Sequence, residues 1–305
     1  MKHNIKITLI LLGMFIIAQF IGLYVAYSYQ PIQVATFNET TQIYENHTQY
    51  NIPYGLNPPD EIDQNSSVIS ILIALLVAVF IMLMLMKFKA EVFLRLWFFV
   101  VVILGLSLAI NAFLPDLKMA SLISLVVAIP LAYLKIFKRN LWVHNLTELL
   151  IYPGIAIVFI PLLNLWGIII LLVIISLYDM YAVWHAGFMQ KMAKYQIEKV
   201  RIFSGFFIPY IGKGRLMQKG KKVKNMKKVP VHIAILGGGD VIFPIILAGV
   251  VLSTLGLLYS LFVILGATIA LGLLFFMAEF RKAYPAMPFI TIGCFIALGI
   301  AYLIL

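Results

Sequence analysis

Nine stretches of apolar residues, separated by polar or basic segments, divide this chain. A helix needs about 20 apolar residues to cross the hydrocarbon layer of a membrane, and most of the stretches come close to that length. The pattern therefore predicts an all-α, polytopic membrane protein with nine transmembrane helices. The predicted spans are 5–27, 68–86, 93–113, 119–137, 146–163, 166–188, 231–252, 257–280 and 287–305.

The lengths of the intervening segments predict three parts. Residues 1–190 would hold the first six helices, with an extracytoplasmic loop at about 28–67 that is acidic and lacks Lys and Arg. Residues 191–229 would form a basic cytoplasmic connection. The stretch 189–210, which leads into and includes its first half, mixes apolar and basic residues and predicts an amphipathic helix in the membrane interface. The second half of the connection, 213–228, predicts disorder. Residues 230–305 would hold the last three helices.

The composition agrees with a membrane protein, since 63% of the 305 residues are apolar and only 11% are charged, against about 25% in soluble domains. The net charge of +11 would suit a nucleic-acid partner, but the basic residues lie between apolar spans, where membrane orientation explains them. We therefore expect membrane lipid and no nucleic acid as a partner. A single cysteine, Cys294, excludes an internal disulfide and a Cys-based metal site, and neither a metal nor a cofactor is expected.

The distribution of charge also predicts the orientation. With the N-terminus in the cytoplasm, 22 of the 23 Lys and Arg residues fall in inner segments and Lys118 alone falls outside. Shifting the count by one span would destroy this alternation, which the positive-inside rule requires. The prediction is a multi-pass protein of the cell membrane with a cytoplasmic N-terminus and an extracytoplasmic C-terminus.

Two carboxylates interrupt the predicted spans. Asp179 lies in the sixth span, and Asp240 follows Gly237, Gly238 and Gly239 in the seventh. An acid in the hydrocarbon layer costs about 2.5–3.5 kcal/mol on insertion scales, so a purely anchoring helix would not carry one. At a helical rise of 1.5 Å per residue, both acids would lie about 13–15 Å from the inner ends of consecutive helices. We therefore expect them to meet.

Two neighbouring carboxyl groups share a proton, so one can activate water while the other protonates a carbonyl oxygen. This is the chemistry of aspartic proteases, and Gly237 and Gly239 would allow either a substrate backbone or the sixth helix to approach closely. The same acids could instead form the relay of a transport protein, either an ion leak or a proton-coupled carrier. Glu148, near the inner end of the fifth span, is expected at the interface rather than as a third catalytic acid.

Three short motifs in the expected helices resemble the presenilin and signal peptide peptidase family of intramembrane aspartyl proteases. That family has YD, GxGD and PAL signatures in its sixth, seventh and ninth helices, and here Met287 stands in place of the Leu. This exchange conserves side-chain volume. The residues that carry the resemblance are Tyr178, Asp179, Gly237, Gly238, Gly239, Asp240, Pro285, Ala286, Met287 and Pro288.

The resemblance implies an intramembrane aspartyl endopeptidase that cleaves transmembrane segments of single-pass proteins, with Asp179 and Asp240 as catalytic residues. It implies that Tyr178, the three glycines and residues 285–288 bind substrate, the last by offering backbone groups to an extended chain. The compact sequence resembles a microbial, archaeal homologue, which implies that accessory subunits are not required. A homo-oligomer is compatible with the resemblance. The charge distribution places the connection between the two acidic spans on the cytoplasmic side, and this is the orientation of presenilins.

Overall fold

The computed structural model describes residues 5–38, 43–58, 64–114, 117–138, 140–186, 195–200, 202, 204–211, 231–278 and 284–305. These ranges contain nine α-helices. The helices are α1 (Ile5–Ser28), α2 (Gln64–Lys87), α3 (Glu91–Ala112), α4 (Ala120–Phe137), α5 (Leu141–Phe159), α6 (Leu165–Tyr181), α7 (Gly238–Thr254), α8 (Leu257–Met277) and α9 (Met287–Ile304).

Eight of these helices are long and apolar enough to cross a membrane, if α6 is taken together with the π-helical turn that continues it to Trp184, while α7, with 17 residues, is shorter. The predicted boundaries agree to within a few residues for most spans. Apart from the seventh span, which is described below, the largest difference between a predicted and an observed helix start is in α5. This helix begins at Leu141 rather than at 146. Asn140 explains this start, because its side chain accepts a hydrogen bond from the amide of Trp142 and so caps the helix.

The core of the molecule surrounds α7, whose residues are buried from Pro244 to Leu252. Helices α1, α5, α6 and α8 contact α7, and α9 packs along α8. In contrast, α2 lies at the periphery and exposes large apolar side chains such as Ile73, Leu76 and Phe80. An apolar outer surface around a buried helix is the arrangement expected of a membrane bundle, in which lipid covers the outside.

A hairpin of two strands, β1 (Ile32–Asn38) and β2 (Ile43–Gln49), occupies part of the predicted extracytoplasmic loop. A second hairpin pairs β3 (Gly205–Ile211) with β4 (Val231–Gly237) in antiparallel fashion, so that Gly205 lies opposite Gly237 and Ile211 opposite Val231. The second hairpin changes two of the predictions.

The prediction for the seventh span was wrong in its first part. Residues Val231–Gly237 form β4, and the helix begins only at Gly238. A short apolar run is compatible with either a buried helix or a strand, and here the partner strand decides. The glycines that follow are poor helix formers and mark the change from strand to helix.

β3 also corrects the prediction of an amphipathic helix over 189–210, since the last residues of that segment are extended. Of the earlier part, Gln196–Val200 forms a π-helical turn. The predicted disordered segment, 213–228, lies outside the described residues. The division of the chain into three parts stays a prediction.

Candidate active site

Asp179 lies in the last turn of α6 and is only 8% exposed. Its Oδ2 atom accepts a hydrogen bond of 3.2 Å from the backbone amide of Met287, the first residue of α9, and the amide of Ala286 also faces this carboxylate. One turn before Asp179 on α6, the hydroxyl group of Ser176 is 2.8 Å from that of Thr291 on α9. Helices α6 and α9 are thus joined at two adjacent positions, and the orientation of Asp179 is fixed from α9.

Asp240 lies in the first turn of α7 and is half-buried. Gly237 is the N-cap residue of this helix, and its backbone amide faces the Asp240 carboxylate three positions later. An acid at this position is the one that a capping box uses, and the positive end of the helix dipole also favours it. The beginning of α7 therefore suits a carboxylate at Asp240.

The three glycines have different surroundings. A Cβ atom on Gly237 would be 3.1 Å from Asp240 Oδ2, and one on Gly238 would be 2.8 Å from Cε1 of Tyr152. On Gly239 the nearest atom would be Phe243 Cε2 at 3.8 Å, an ordinary contact. A side chain at Gly238 would therefore clash with Tyr152, one at Gly237 would be tight against Asp240, and Gly239 is exposed.

The two acids are neighbours in space. Helices α6 and α7 contact each other, with Asp179 in the last turn of the first and Asp240 in the first turn of the second. The route differs from the one predicted, because β4 rather than a helical segment leads to Asp240. Strands rise about 3.3 Å per residue, so the depth calculated from a helical rise does not apply to Asp240.

The remaining predicted site residues lie next to Asp179 in the chain or at the beginning of α9. Pro285 and Met287 are buried, and Ala286 and Pro288 are half-buried. Pro288 lies in the first turn of α9, where a missing amide is tolerated. Tyr178 is half-buried beside Asp179, and its role at the site stays a prediction. No cluster of three or more His, Cys, Asp or Glu side chains that could hold a metal occurs within the described ranges.

The expectation that Glu148 lies at the interface was wrong. Its side chain is 1% exposed, and its Oε1 atom is 2.6 Å from Nζ of Lys135, which is itself 4% exposed. Lys135 lies in the last turn of α4 and points into the bundle. The signal that could have revealed the pair is the presence of opposite charges just inside the facing ends of two consecutive apolar stretches.

Sequence reasoning also missed Gln19, a buried residue in the middle of α1 with 1% exposure. Its Nε2 atom donates a hydrogen bond of 3.0 Å to the carbonyl oxygen of Val241, the residue after Asp240. This bond ties the middle of α1 to the first turn of α7, directly after Asp240.

The family described as signal-peptide peptidase, presenilin aspartyl protease matches residues 12–305, almost the whole chain. The chain belongs to this family. Its members are intramembrane aspartyl proteases, so the resemblance seen in the three motifs is confirmed. No curated protein sequence matches this member of the signal peptide peptidase and presenilin family.

Two solved structures show the same fold as this presenilin-family chain. Both are described as a presenilin family intramembrane aspartate protease, one in space group C222 and the other in P2. The first is 16% identical, with a TM-score of 0.60, and the match covers 98% of this chain and 99% of the other. The second is 15% identical, with a TM-score of 0.61 and 97% coverage of both chains. The all-α, polytopic architecture is thus confirmed at the level of the fold.

Proposed function

We propose that this presenilin-family protein is an endopeptidase in which Asp179 and Asp240 together hydrolyse peptide bonds within transmembrane segments of single-pass membrane proteins. One observation carries the proposal: two carboxylates lie at the ends of contacting helices, Asp179 in the last turn of α6 and Asp240 in the first turn of α7. A membrane helix has no structural need for an acid, and two acids side by side are still less favourable.

The chemistry follows from the pairing. Two neighbouring carboxyl groups hold one proton between them, because both cannot readily ionise. The ionised group takes a proton from a water molecule, whose oxygen then attacks the scissile carbonyl carbon. The protonated group donates to the carbonyl oxygen, which gives a gem-diol. The exchange of roles as the C–N bond breaks returns the proton to the leaving nitrogen and leaves the pair ready for another cycle.

The surroundings of Asp179 support this assignment. The amide of Met287 fixes the carboxylate from one side, and the contact between Ser176 and Thr291 holds α9 in register beside it. Catalytic groups act best when they are held in place before the substrate arrives. Exposed Gly239 leaves space beside Asp240 for an extended backbone. The charge distribution supports a cytoplasmic N-terminus and therefore the presenilin orientation.

The test is cleavage of a tagged single-pass substrate by the purified protein in liposomes. Asp179→Asn and Asp240→Asn preserve the size of each side chain, and each should lower the rate by at least about 10²–10⁴-fold, since each removes a general acid or base. Glu91→Gln is the matched control, because Glu91 is a partly exposed acid in the first turn of α3, away from the pair. It should cleave at the wild-type rate.

A transition-state analogue with a hydroxyl group in place of the scissile carbonyl should inhibit the wild type, as preferential binding of the transition state requires. It should bind the Asp240→Asn variant much more weakly. Cleavage that survives both Asn substitutions would refute the pair. Acid-dependent ion flux in liposomes without any proteolysis would instead favour a transport protein.

A further inference from the structure

The buried ion pair between Lys135 and Glu148 has no part in the hydrolysis described above. It joins α4 to α5 at 2.6 Å, and His144 completes a small polar cluster. Nδ1 of His144 is 3.5 Å from Nζ of Lys135, and its Nε2 is 2.9 Å from the carbonyl oxygen of Gly205. A neutral ring with its proton on Nε2 satisfies both contacts, since Lys135 then donates to the ring and the ring donates to Gly205.

This cluster covers the outer edge of β3. Oε1 of Glu148 accepts from the amide of Gly205 at 3.4 Å. The side chain of Asn145 bonds to Phe207 twice, donating to its carbonyl oxygen at 2.9 Å and accepting from its amide at 3.0 Å. In an antiparallel pair, alternate residues point their backbone groups away from the partner strand. Side chains of α5 thus take the place of a neighbouring strand at two successive outward positions.

The beginning of β3, which α5 holds, is paired with the end of β4, and β4 is followed by the helix that carries Asp240. Gly205 lies opposite Gly237 in the hairpin, and Gly237 is the N-cap residue of α7, three positions before Asp240. Tyr152, one turn after Glu148 on α5, is 2% exposed. Its ring packs edge-on against Phe206 at 5.6 Å and would touch any side chain added to Gly238. Helix α5 therefore contacts both the beginning of β3 and the glycine turn before Asp240.

We propose that Lys135, His144, Asn145 and Glu148 are positioning residues, which hold the β3–β4 hairpin so that Asp240 stays in place for catalysis. The inference rests on the proposed function of Asp240. The cluster provides paired polar groups for the edge of β3 inside an otherwise apolar bundle, where unpaired backbone groups would be unfavourable. The ion pair keeps Glu148 oriented toward Gly205, because Lys135 holds the same carboxylate oxygen.

The first measurement does not depend on activity. Amide hydrogen exchange of residues 205–211 and 231–237 should become about five- to tenfold faster in Glu148→Ala and in Asn145→Ala, since each variant removes hydrogen bonds from the hairpin edge. Thr147→Val is the matched control. Thr147 is also buried in α5, with 1% exposure, but its hydroxyl donates only within the helix, to Val143 and His144.

The second measurement is cleavage kinetics. Glu148→Ala and Asn145→Ala should lower kcat about tenfold or more and change KM less, since a displaced catalytic group affects the chemical step. Lys135→Met leaves Glu148 unpaired and should also lower kcat. The double variant Lys135→Met with Glu148→Gln should recover most of the activity, because the introduced amide oxygen can still accept from Gly205 and no buried charge remains unpaired.

Wild-type exchange of the hairpin in a folded Glu148→Ala protein would overturn the inference, as would equal losses of kcat in Thr147→Val. If Glu148→Ala does not fold, Asn145→Ala decides, because it removes two hydrogen bonds and no charge. If the wild type cleaves no substrate, the proposed function fails, while the exchange measurement still tests the attachment of the hairpin to α5. Loss of cleavage in Asp240→Asn with unchanged exchange in Asn145→Ala would reject the positioning role alone.

Discussion

At the scale of single residues, the three glycines before Asp240 serve different purposes. The structure gives the first a role in capping α7, places the second against Tyr152 and leaves the third open. The sequence alone could identify the run as unusual within an apolar stretch. It could not separate the three positions, because the residue that restricts Gly238 belongs to α5, far earlier in the chain.

Replacing Gly238 with Ala should therefore destabilise the protein, whereas Ala at Gly239 should not. The new methyl group at 238 would be 2.8 Å from Tyr152 and 2.9 Å from Oγ of Ser204, and overpacking of this kind typically costs about 1–3 kcal/mol. Thermal unfolding in detergent, followed by the cleavage assay, measures both effects. Equal melting temperatures for the two variants would contradict the close contact of α5 with the glycine turn. A Gly239→Ala variant that is stable but inactive would support the use of this open position by substrate.

At the scale of elements, the boundaries that failed are those where tertiary partners decide. Residues 231–236 are apolar except for His232 and are continuous with the helix that follows, so their pattern fits a membrane helix as well as a strand. The partner strand β3 lies upstream, beyond a basic segment that gives no pairing signal. By contrast, α1, α3 and α8 could be predicted closely, because each is a long apolar run with polar residues or glycine near its ends.

The contact between α1 and α7 provides a test at this scale. Gln19→Leu removes the donor to the Val241 carbonyl, and losing a buried hydrogen bond costs about 1 kcal/mol. In a chain of this size the melting temperature should fall by about 2–4 °C, and kcat should fall with it, because Val241 follows Asp240 directly. Ser260→Ala serves as control. Ser260 is fully buried in α8 and bonds only to Gly256 in the turn below, so its loss should leave kcat unchanged. Unaltered kcat in Gln19→Leu would argue against a role for α1 in placing Asp240.

At the scale of the whole molecule, the fold and the two acids could be predicted because membrane burial imposes strict rules on composition. Spans must be apolar, basic residues collect on one side, and any acid within a span is conspicuous. The polar cluster on α4 and α5 was missed for the complementary reason. Its charged residues, Lys135 and Glu148, lie near the ends of their spans. Ordinary interfacial residues also occur at such positions. Only the packing of the helices reveals that Lys135 and Glu148 point inward.

The predicted orientation can be tested with cysteine labelling, since the one natural cysteine, Cys294, is buried at 1% exposure. Thr48 is exposed on β2, and Lys138 is exposed after α4. In intact cells, a membrane-impermeant maleimide should modify Thr48→Cys at once and Lys138→Cys only after permeabilisation, if the N-terminus is cytoplasmic. The parent protein should remain unlabelled. The reverse pattern would place the connection between α6 and α7 outside.

The ion pair between α4 and α5 has a consequence for biosynthesis. The two helices are consecutive, and only residues 138–140 separate them. Each charge would resist transfer into lipid if its helix left the translocon alone. When the two segments partition together as a helical hairpin, Lys135 and Glu148 enter the bilayer already neutralised by each other. The short connection thus makes joint insertion of α4 and α5 the favourable route by which this part of the chain reaches the membrane.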